Sequence, residues 1–137
     1  MTTGYSGTLL DKKLGLRNTF NCVTYDAPKD YLKWIKSLPT QLNLSATMEL
    51  KSADFIHAFF RSRTDLEKTI PHLKETLSMT GMLWVSWPKG RSKIKTDLNR
   101  EIVRDYLLAN GLVDIKVAAI DDDWSALKFV YRLKDRK

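Results

Sequence analysis

The stretch Phe55-Ile56-His57-Ala58-Phe59-Phe60 decides the fold of this chain, together with the similar run Met82-Leu83-Trp84-Val85-Ser86-Trp87 that follows it. Each run is apolar at almost every position, which is typical of a central strand covered by helices on both faces of a sheet. The segment between the two runs has apolar residues at helical spacing, namely Leu66, Ile70, Leu73 and Leu77. The order strand, helix, strand predicts a parallel β-α-β unit.

The helix between the two strands carries its own boundary signals. Thr64 and Glu67 fit a capping box, in which the two side chains satisfy backbone N–H groups at the start of a helix. Pro71 lies inside the segment, where it removes one backbone donor and clashes with the preceding turn, so we expect a kink or a break there. Gly81 is predicted to end the helical unit.

Further elements precede this unit. Residues 19–25 predict a short strand, and Pro28 is placed to begin a helix that ends before Pro39. Residues 42–48 are a weaker strand candidate, and the sequence leaves open whether they join the main sheet. Residues 1–16 predict an N-terminal helical segment that packs on the domain, capped by Ser6.

The remaining elements follow the second buried strand. Thr96 or Asp97 is placed to cap a helix that stops at Asn110-Gly111. Residues 113–120 and 126–133 are predicted strands, and the residues that join them are too few for a parallel crossover, so they form an antiparallel hairpin. We therefore predict a single α/β domain over residues 1–137, Rossmann-like, with a mostly parallel twisted sheet flanked by helices and a C-terminal antiparallel hairpin.

Composition narrows the class of protein. The chain has 137 residues, 43% of them hydrophobic and 28% charged, so we expect one ordinary globular domain rather than a repeat array or a disordered tail. Cys22 is the single cysteine, which favours a reducing compartment, and no apolar run has the length of a membrane span. We expect a cytoplasmic protein without a membrane partner, and the oligomeric state stays open.

Positive charge is concentrated in the middle of the chain. The net charge is +7, and residues 51–100 carry ten basic and five acidic side chains. Four of the basic residues occur at every second position without an acid among them, namely Lys89, Arg91, Lys93 and Lys95. Such a loop attracts a phosphate-bearing ligand, nucleic acid or another anion, and the alternative is a solvated loop without a ligand.

The predicted topology points to one edge of the sheet as a binding site. In open parallel sheets, ligands bind outside the carboxyl ends of the strands. The predicted strand ends bring the following candidates to that edge: Asp26, Arg61, Arg63, Ser86, Trp87, Lys89, Arg91, Asp123 and Trp124. A helix beginning near Thr64 adds backbone N–H groups beside the arginines, which favours an anion. The alternative is that Arg61 and Arg63 pair with Asp26 or with the turn at residues 121–123.

The aromatic candidates have two interpretations each. Trp84 and Trp87 are separated by an odd number of positions, so they face opposite sides of their strand. Trp87 either stacks on a base beside the basic residues or packs against a helix. Trp124 falls in the predicted hairpin turn, where it forms a lid over the site or marks a protein interface.

Other chemistry has little support. His57 lies in an apolar strand and is predicted to be a core histidine, and Cys22 a small buried hydrophobe. The aspartates at 121–123 suit a solvated turn better than a Mg²⁺ site, because metal ligands normally come from more than one element. We predict no metal and no catalytic residue.

The order of elements resembles the second half of the class I S-adenosylmethionine-dependent methyltransferases, on residues 52–60, the following helix, Gly81 and residues 82–87. The resemblance implies a last strand antiparallel to the rest of the sheet and a glycine-rich cofactor loop after the first strand. Residues 25–30 hold that place without a glycine, and Glu49 falls where an acid holds a ribose. The motifs at residues 4–8, 84–89 and 124–130 also resemble a family of small bacterial proteins of unknown function.

Three functions follow from these observations. The first is a non-catalytic methyltransferase-like domain that takes no cofactor and binds an anionic ligand or partner at the carboxyl ends of the strands. The first alternative is an S-adenosylmethionine-dependent methyltransferase with an atypical cofactor loop. The second is nucleic-acid binding through the basic loop at residues 89–95, with Trp87 stacking on a base.

Overall fold

The computed structural model describes residues 21–28, 43–45 and 50–136, with only the backbone described at 43–45. The predicted N-terminal segment, the predicted helix after Pro28 and Glu49 lie outside the described residues.

Six strands and two α-helices make up the described part of the chain. The strands are β1 (Asn21–Tyr25), β2 (Asn43–Ser45), β3 (Ala53–Phe59), β4 (Leu77–Pro88), β5 (Leu112–Ala119) and β6 (Trp124–Tyr131). The helices are α1 (Arg63–Thr76) and α2 (Arg100–Ala109), and a 3₁₀ turn, Leu133–Asp135, follows β6. Neither helix is long and apolar enough to cross a membrane.

The strands form one sheet in the order β2-β1-β3-β4-β6-β5. β2, β1, β3 and β4 are parallel to one another, and β6 runs antiparallel to both β4 and β5. β2 and β3 therefore lie on opposite sides of β1. The direction in which strands are added reverses between β1 and β3, which is the topological switch point of the sheet. The predicted α/β fold, its mostly parallel sheet and its terminal hairpin are confirmed, and residues 43–45 belong to the main sheet.

Alternation along β3 separates two buried clusters. Ile56 and Ala58 face the cluster that also holds α1 and α2 residues such as Leu66 and Val103. Phe55, Phe59, Trp84 and Trp124 belong to the cluster on the opposite face. Trp87 lies in the cluster with α1 and α2, so Trp84 and Trp87 face opposite sides of β4, as predicted.

Helix α1 begins and ends at other residues than predicted. Ser62, not Thr64, is the N-cap, and its hydroxyl oxygen accepts a hydrogen bond from the Asp65 N–H at 3.1 Å. The helix continues through Pro71 to Thr76, so of the predicted kink or break the break is wrong. The helix persists because Ile70 and Leu73, on either side of the proline, are fully buried against the sheet, and their burial outweighs one missing backbone donor.

Gly81 lies inside β4 and does not end a helix, because β4 already begins at Leu77. The pairing with β3 jumps from Ala53–Leu77 to Phe55–Met82, so residues 78–81 bulge out of the ladder. A Cβ atom at Gly81 would lie 2.7 Å from the carbonyl oxygen of Ala53. The glycine is therefore required by the close approach of two backbone segments.

Replacing Gly81 by alanine should lower the free energy of unfolding by about 1 to 3 kcal/mol, because the backbone of Ala53 must move to admit the new methyl group. Gly90 provides the control, since nothing lies within 4 Å of its added Cβ. Gly90→Ala should change stability by less than about 0.5 kcal/mol. Urea unfolding of both variants checks this expectation, and equal stability of the two would contradict it.

Helix α2 and the hairpin also differ from the predictions in their first residues. Asn99 caps α2 through its side-chain oxygen, which accepts from the Ile102 N–H at 2.9 Å, so neither Thr96 nor Asp97 is the cap. The helix ends at Asn110-Gly111 as predicted, with Gly111 at φ 89. β6 begins at Trp124, which is therefore a strand residue and not part of the turn.

Candidate functional site at the carboxyl ends of the strands

The switch point holds an ion pair between Asp26, which follows β1, and Arg61, which follows β3. Arg61 Nη1 donates to Asp26 Oδ2 at 2.9 Å, and the two side chains are 44% and 55% exposed. Asp26 has φ 52, the left-handed conformation that asparagine and aspartate accept more readily than other side chains. The alternative in which the arginines pair with Asp26 is thus confirmed for Arg61.

Trp124 lies beneath this ion pair. The Arg61 guanidinium carbon is 5.1 Å from the centre of the Trp124 ring, and that ring meets Phe59 edge-on at 5.0 Å. Trp124 is only 3% exposed. The predicted lid or interface role is therefore wrong, because Trp124 begins β6 and its ring enters the cluster with Phe59. Its ring instead forms a cation–π contact with the Arg61 guanidinium.

The start of α1 already holds an anion from the same chain. The Arg63 backbone N–H donates to Asp97 Oδ1 at 2.7 Å, and the Arg63 guanidinium Nε donates to Glu67 at 3.0 Å. The Arg63 guanidinium is therefore paired with Glu67, and not with Asp26 or the turn at residues 121–123. The helix start was predicted to favour an anion. The Asp97 carboxylate lies there and occupies the position of an external anion.

Ser86 and Trp87 lie below the edge rather than on it. Both are buried, and Ser86 Oγ lies 2.7 Å from His57 Nε2. Trp87 packs in the cluster with α1 and α2, so the alternative in which it stacks on a base is wrong. His57 is a core histidine as predicted, and burial lowers its pKa to about 3. Burial likewise raises the pKa of the Cys22 thiol to about 12.

The basic loop, residues 89–95, is tied to the hairpin turn, residues 121–123. The Lys89 N–H donates to the Asp123 carbonyl oxygen at 2.7 Å. The Ser92 hydroxyl donates to Asp123 Oδ1 at 2.8 Å and accepts from the Ile94 N–H at 3.1 Å. These bonds fix the shape of the loop, whereas Arg91 and two further cations, Lys93 and Lys95, remain exposed.

A cleft of about 540 Å³ opens between the basic loop and the hairpin turn. It is lined by Arg91, Ser92, Lys93, Ile94, Asp122 and Asp123. Within the turn, Asp121 Oδ1 accepts from the N–H groups of Asp123 and Trp124, both at 2.9 Å. Burial raises the pKa of Asp121. Among the described residues no group of His, Cys, Asp or Glu side chains is arranged to hold a metal ion.

The predicted site thus divides into two parts of one edge. The switch point contains Asp26, Arg61 and Trp124, and the cleft contains Arg91 and Asp123. Thr96 joins the parts, because its hydroxyl donates to the Arg61 carbonyl oxygen at 2.6 Å. Sequence reasoning missed this role of Thr96 and the role of Asp97. Their capping chemistry was visible in the sequence, but which segment they would cap depends on the tertiary arrangement.

Comparison with known proteins agrees with the topology. No family model matches the chain, and no curated protein does either, so the resemblance to a small bacterial family stays a prediction. Solved structures do match, and a SAM-dependent methyltransferase from Aquifex aeolicus has a TM-score of 0.66 at 11% identity, over 88% of this chain and 86% of that one.

Two further methyltransferases have similar structures. The M1A22 tRNA methyltransferase TrmK of B. subtilis matches with a TM-score of 0.58 at 11% identity, over 98% of this chain and 68% of that one. Magnesium protoporphyrin IX methyltransferase from Synechocystis, solved with bound SAH, matches with a TM-score of 0.58 at 11% identity, over 90% and 78%. The chain therefore has the Rossmann-like fold of the class I S-adenosylmethionine-dependent methyltransferases.

Proposed function

We propose that this chain binds S-adenosylmethionine at the switch point and acts as a methyltransferase. The observation that carries the proposal is the pair Asp26–Arg61, placed between β1 and β3 where open α/β sheets bind ligands. A carboxylate beside a guanidinium complements the amino-acid end of adenosylmethionine, which carries an ammonium and a carboxylate group. The structural similarity to methyltransferases supports the proposed function.

The strand end fits such a cofactor although it lacks glycine. The cofactor loop of the family uses glycine so that the backbone can turn tightly. Asp26 already adopts φ 52, so this turn is made here with an aspartate. The Asp26–Arg61 pair is about half exposed, and pairs of this kind contribute at most about 1 kcal/mol to stability, so a ligand can replace it at little cost.

Each residue of the switch point then has a definite task. Asp26 accepts hydrogen bonds from the ammonium group, and Arg61 donates to the carboxylate. Trp124 holds the Arg61 guanidinium in place through the contact at 5.1 Å. Outside the described residues, the sequence offers Glu49 as the candidate for the ribose hydroxyls. When bound, adenosylmethionine supplies a methyl group from its sulfonium sulfur to a lone pair of the acceptor, which releases a proton to solvent and leaves adenosylhomocysteine.

Calorimetric titration with adenosylhomocysteine tests the proposal. Asp26→Ala and Arg61→Ala should each weaken binding about 10- to 100-fold, since a charge-assisted hydrogen bond contributes about 1.5 to 3 kcal/mol. Arg104→Ala is the matched control, because Arg104 also pairs with an aspartate, Asp114, and is 46% exposed. This pair lies away from the switch point, since Arg104 belongs to α2 and Asp114 to β5, the outermost strand of the sheet. Absence of binding to the unmodified protein at millimolar adenosylhomocysteine would overturn the proposal.

A second candidate is the non-catalytic domain that binds an anionic ligand at the same edge. It is favoured by the cleft, whose Arg91 and Lys93 side chains form no ion pair within the described ranges. This candidate predicts that phosphate or a nucleotide raises the melting temperature, that Arg91→Ala removes the effect, and that adenosylhomocysteine has none. For either candidate we place the protein in the cytoplasm, on the ground of its single cysteine.

A further inference from the structure

The basic loop is held in one shape before any ligand arrives. Lys89 and Ser92 bind the Asp123 backbone and carboxylate, and Thr96 binds the Arg61 carbonyl oxygen beyond the far end of the loop. A loop fixed in this way loses little conformational entropy when its side chains contact a partner. The loop is therefore preorganised, which favours binding and which a solvated loop without a ligand does not need.

The charges of the cleft are unequally engaged. The lining holds two cations, Arg91 and Lys93, and two carboxylates, Asp122 and Asp123, and the Asp123 carboxylate accepts from Ser92. The Asp121 carboxylate, which lies next to the lining in the turn, accepts from two backbone N–H groups. By contrast, no hydrogen bond or ion pair in the described part of the chain involves the side chain of Arg91 or Lys93. The cleft thus offers two positively charged donor side chains, whereas the two aspartates of its lining already have partners within the chain.

We propose that this cleft binds the phosphate backbone of a nucleic-acid strand, and that nucleic acid is the substrate class of this protein; the second half of the proposal rests on the proposed methyltransferase function. A row of phosphates matches several exposed cations on one loop, Arg91, Lys93 and Lys95, whereas a single phosphate engages only one or two of them. Trp87 and Trp124 are buried, so neither is a platform for base stacking. Contact is therefore made with phosphates rather than with bases.

The position of the cleft suits this role. It lies where β4 ends and where the β5–β6 hairpin turns, on the same edge of the sheet as the switch point. The loop that carries the cations continues directly to Thr96, which contacts the Arg61 backbone. A strand held by Arg91 and Lys93 thus runs beside the place that we propose for adenosylmethionine.

Fluorescence anisotropy with a labelled DNA duplex tests the proposal. The logarithm of the association constant should fall with the logarithm of the salt concentration with a slope of about −3, from about 0.9 per phosphate contact. Removing both cations in Arg91→Ala/Lys93→Ala should reduce that slope by about 2 and weaken binding roughly 60-fold at 0.1 M salt. An RNA duplex of the same sequence should show the same dependence on the two residues.

The control variant Lys134→Ala/Arg136→Ala removes one lysine and one arginine beyond the end of β6, away from the cleft. It should leave the slope unchanged and weaken binding less than about twofold. Equal losses in the two double variants, or a flat salt response, would overturn the proposal. Binding of a mononucleotide through Arg91 and Lys93, with no binding of either duplex, would overturn it in favour of a small phosphate ligand.

Titration with adenosylhomocysteine separates this inference from the proposed function. Arg91→Ala/Lys93→Ala should bind adenosylhomocysteine like the unmodified protein, because neither residue lies at the switch point. Duplex binding without adenosylhomocysteine binding would refute the methyltransferase function and keep the nucleic-acid site. Adenosylhomocysteine binding without duplex binding would refute the nucleic-acid site and keep the methyltransferase function.

Discussion

Trp124→Ala should lower the free energy of unfolding by about 3 to 5 kcal/mol, the usual loss when a large aromatic side chain is removed from a core. Trp124 is 3% exposed and its ring meets Phe59 edge-on at 5.0 Å. The substitution also removes the surface on which the Arg61 guanidinium rests. We therefore expect a loss of stability together with weaker binding of adenosylhomocysteine.

Two further variants test whether the loss of stability in Trp124→Ala comes from the buried ring. Trp124→Phe keeps most of the buried ring and should recover more than half of the lost stability, since much of the cavity is filled again. Leu133→Ala is the control for removal of an exposed apolar side chain, because Leu133 is 79% exposed, and it should change stability by less than about 0.5 kcal/mol. If Trp124→Ala unfolds in urea like the unmodified protein, Trp124 is a lid or an interface residue and the account of the switch point is wrong.

Stability should fall steeply in mild acid because of His57. Its ring is fully buried, stacks on Phe59 at 4.3 Å and lies 2.7 Å from Ser86 Oγ. Burial lowers the pKa of His57 to about 3 in the folded protein, against 6.5 for an ordinary histidine. Between these two values the unfolded chain takes up a proton that the folded protein excludes, so stability is retained above pH 6.5 and is lost as the pH falls toward 3.

The slope approaches about 1.4 kcal/mol per pH unit well below pH 6.5, and the loss amounts to about 2 kcal/mol between pH 6.5 and pH 4.5. His57→Gln is the control, because glutamine keeps a side chain that hydrogen-bonds Ser86 but does not titrate. The difference in unfolding free energy between the two proteins, measured at several pH values, isolates the histidine from other titrating groups. A difference that does not change between pH 6.5 and 4.5 would show that His57 is accessible to protons in the folded state.

Local patterns in the sequence predicted the main strands. The runs of apolar residues marked β3 and β4, and the short predicted connection over residues 121–125 required the antiparallel hairpin. The ends of helices and strands were predicted less well where contacts between distant backbone segments determine them. Gly81 looked like the end of a helix because only the structure shows that the Ala53 carbonyl oxygen lies against it.

The site was predicted in location but not in detail. The rule that ligands bind at the carboxyl ends of parallel strands led to Asp26 and Arg61, which do meet. Trp124 was expected to be exposed because its neighbours are turn residues, yet a shift of the strand start by two positions buries it. Arg63 was grouped with Arg61 from proximity in sequence, whereas the helix start directs it toward Asp97 and Glu67.

The central claim is that adenosylmethionine occupies the switch point between β1 and β3. The most direct test is to titrate isotopically labelled protein with adenosylhomocysteine and follow the backbone amide resonances. We predict the largest changes at residues that end β1 and β3, Tyr25 to Ala27 and Phe60 to Ser62, and none along β5, the outermost strand beyond β4 and β6. Absence of any change at millimolar ligand, or changes confined to residues 91–94 and 122–123, would contradict the claim.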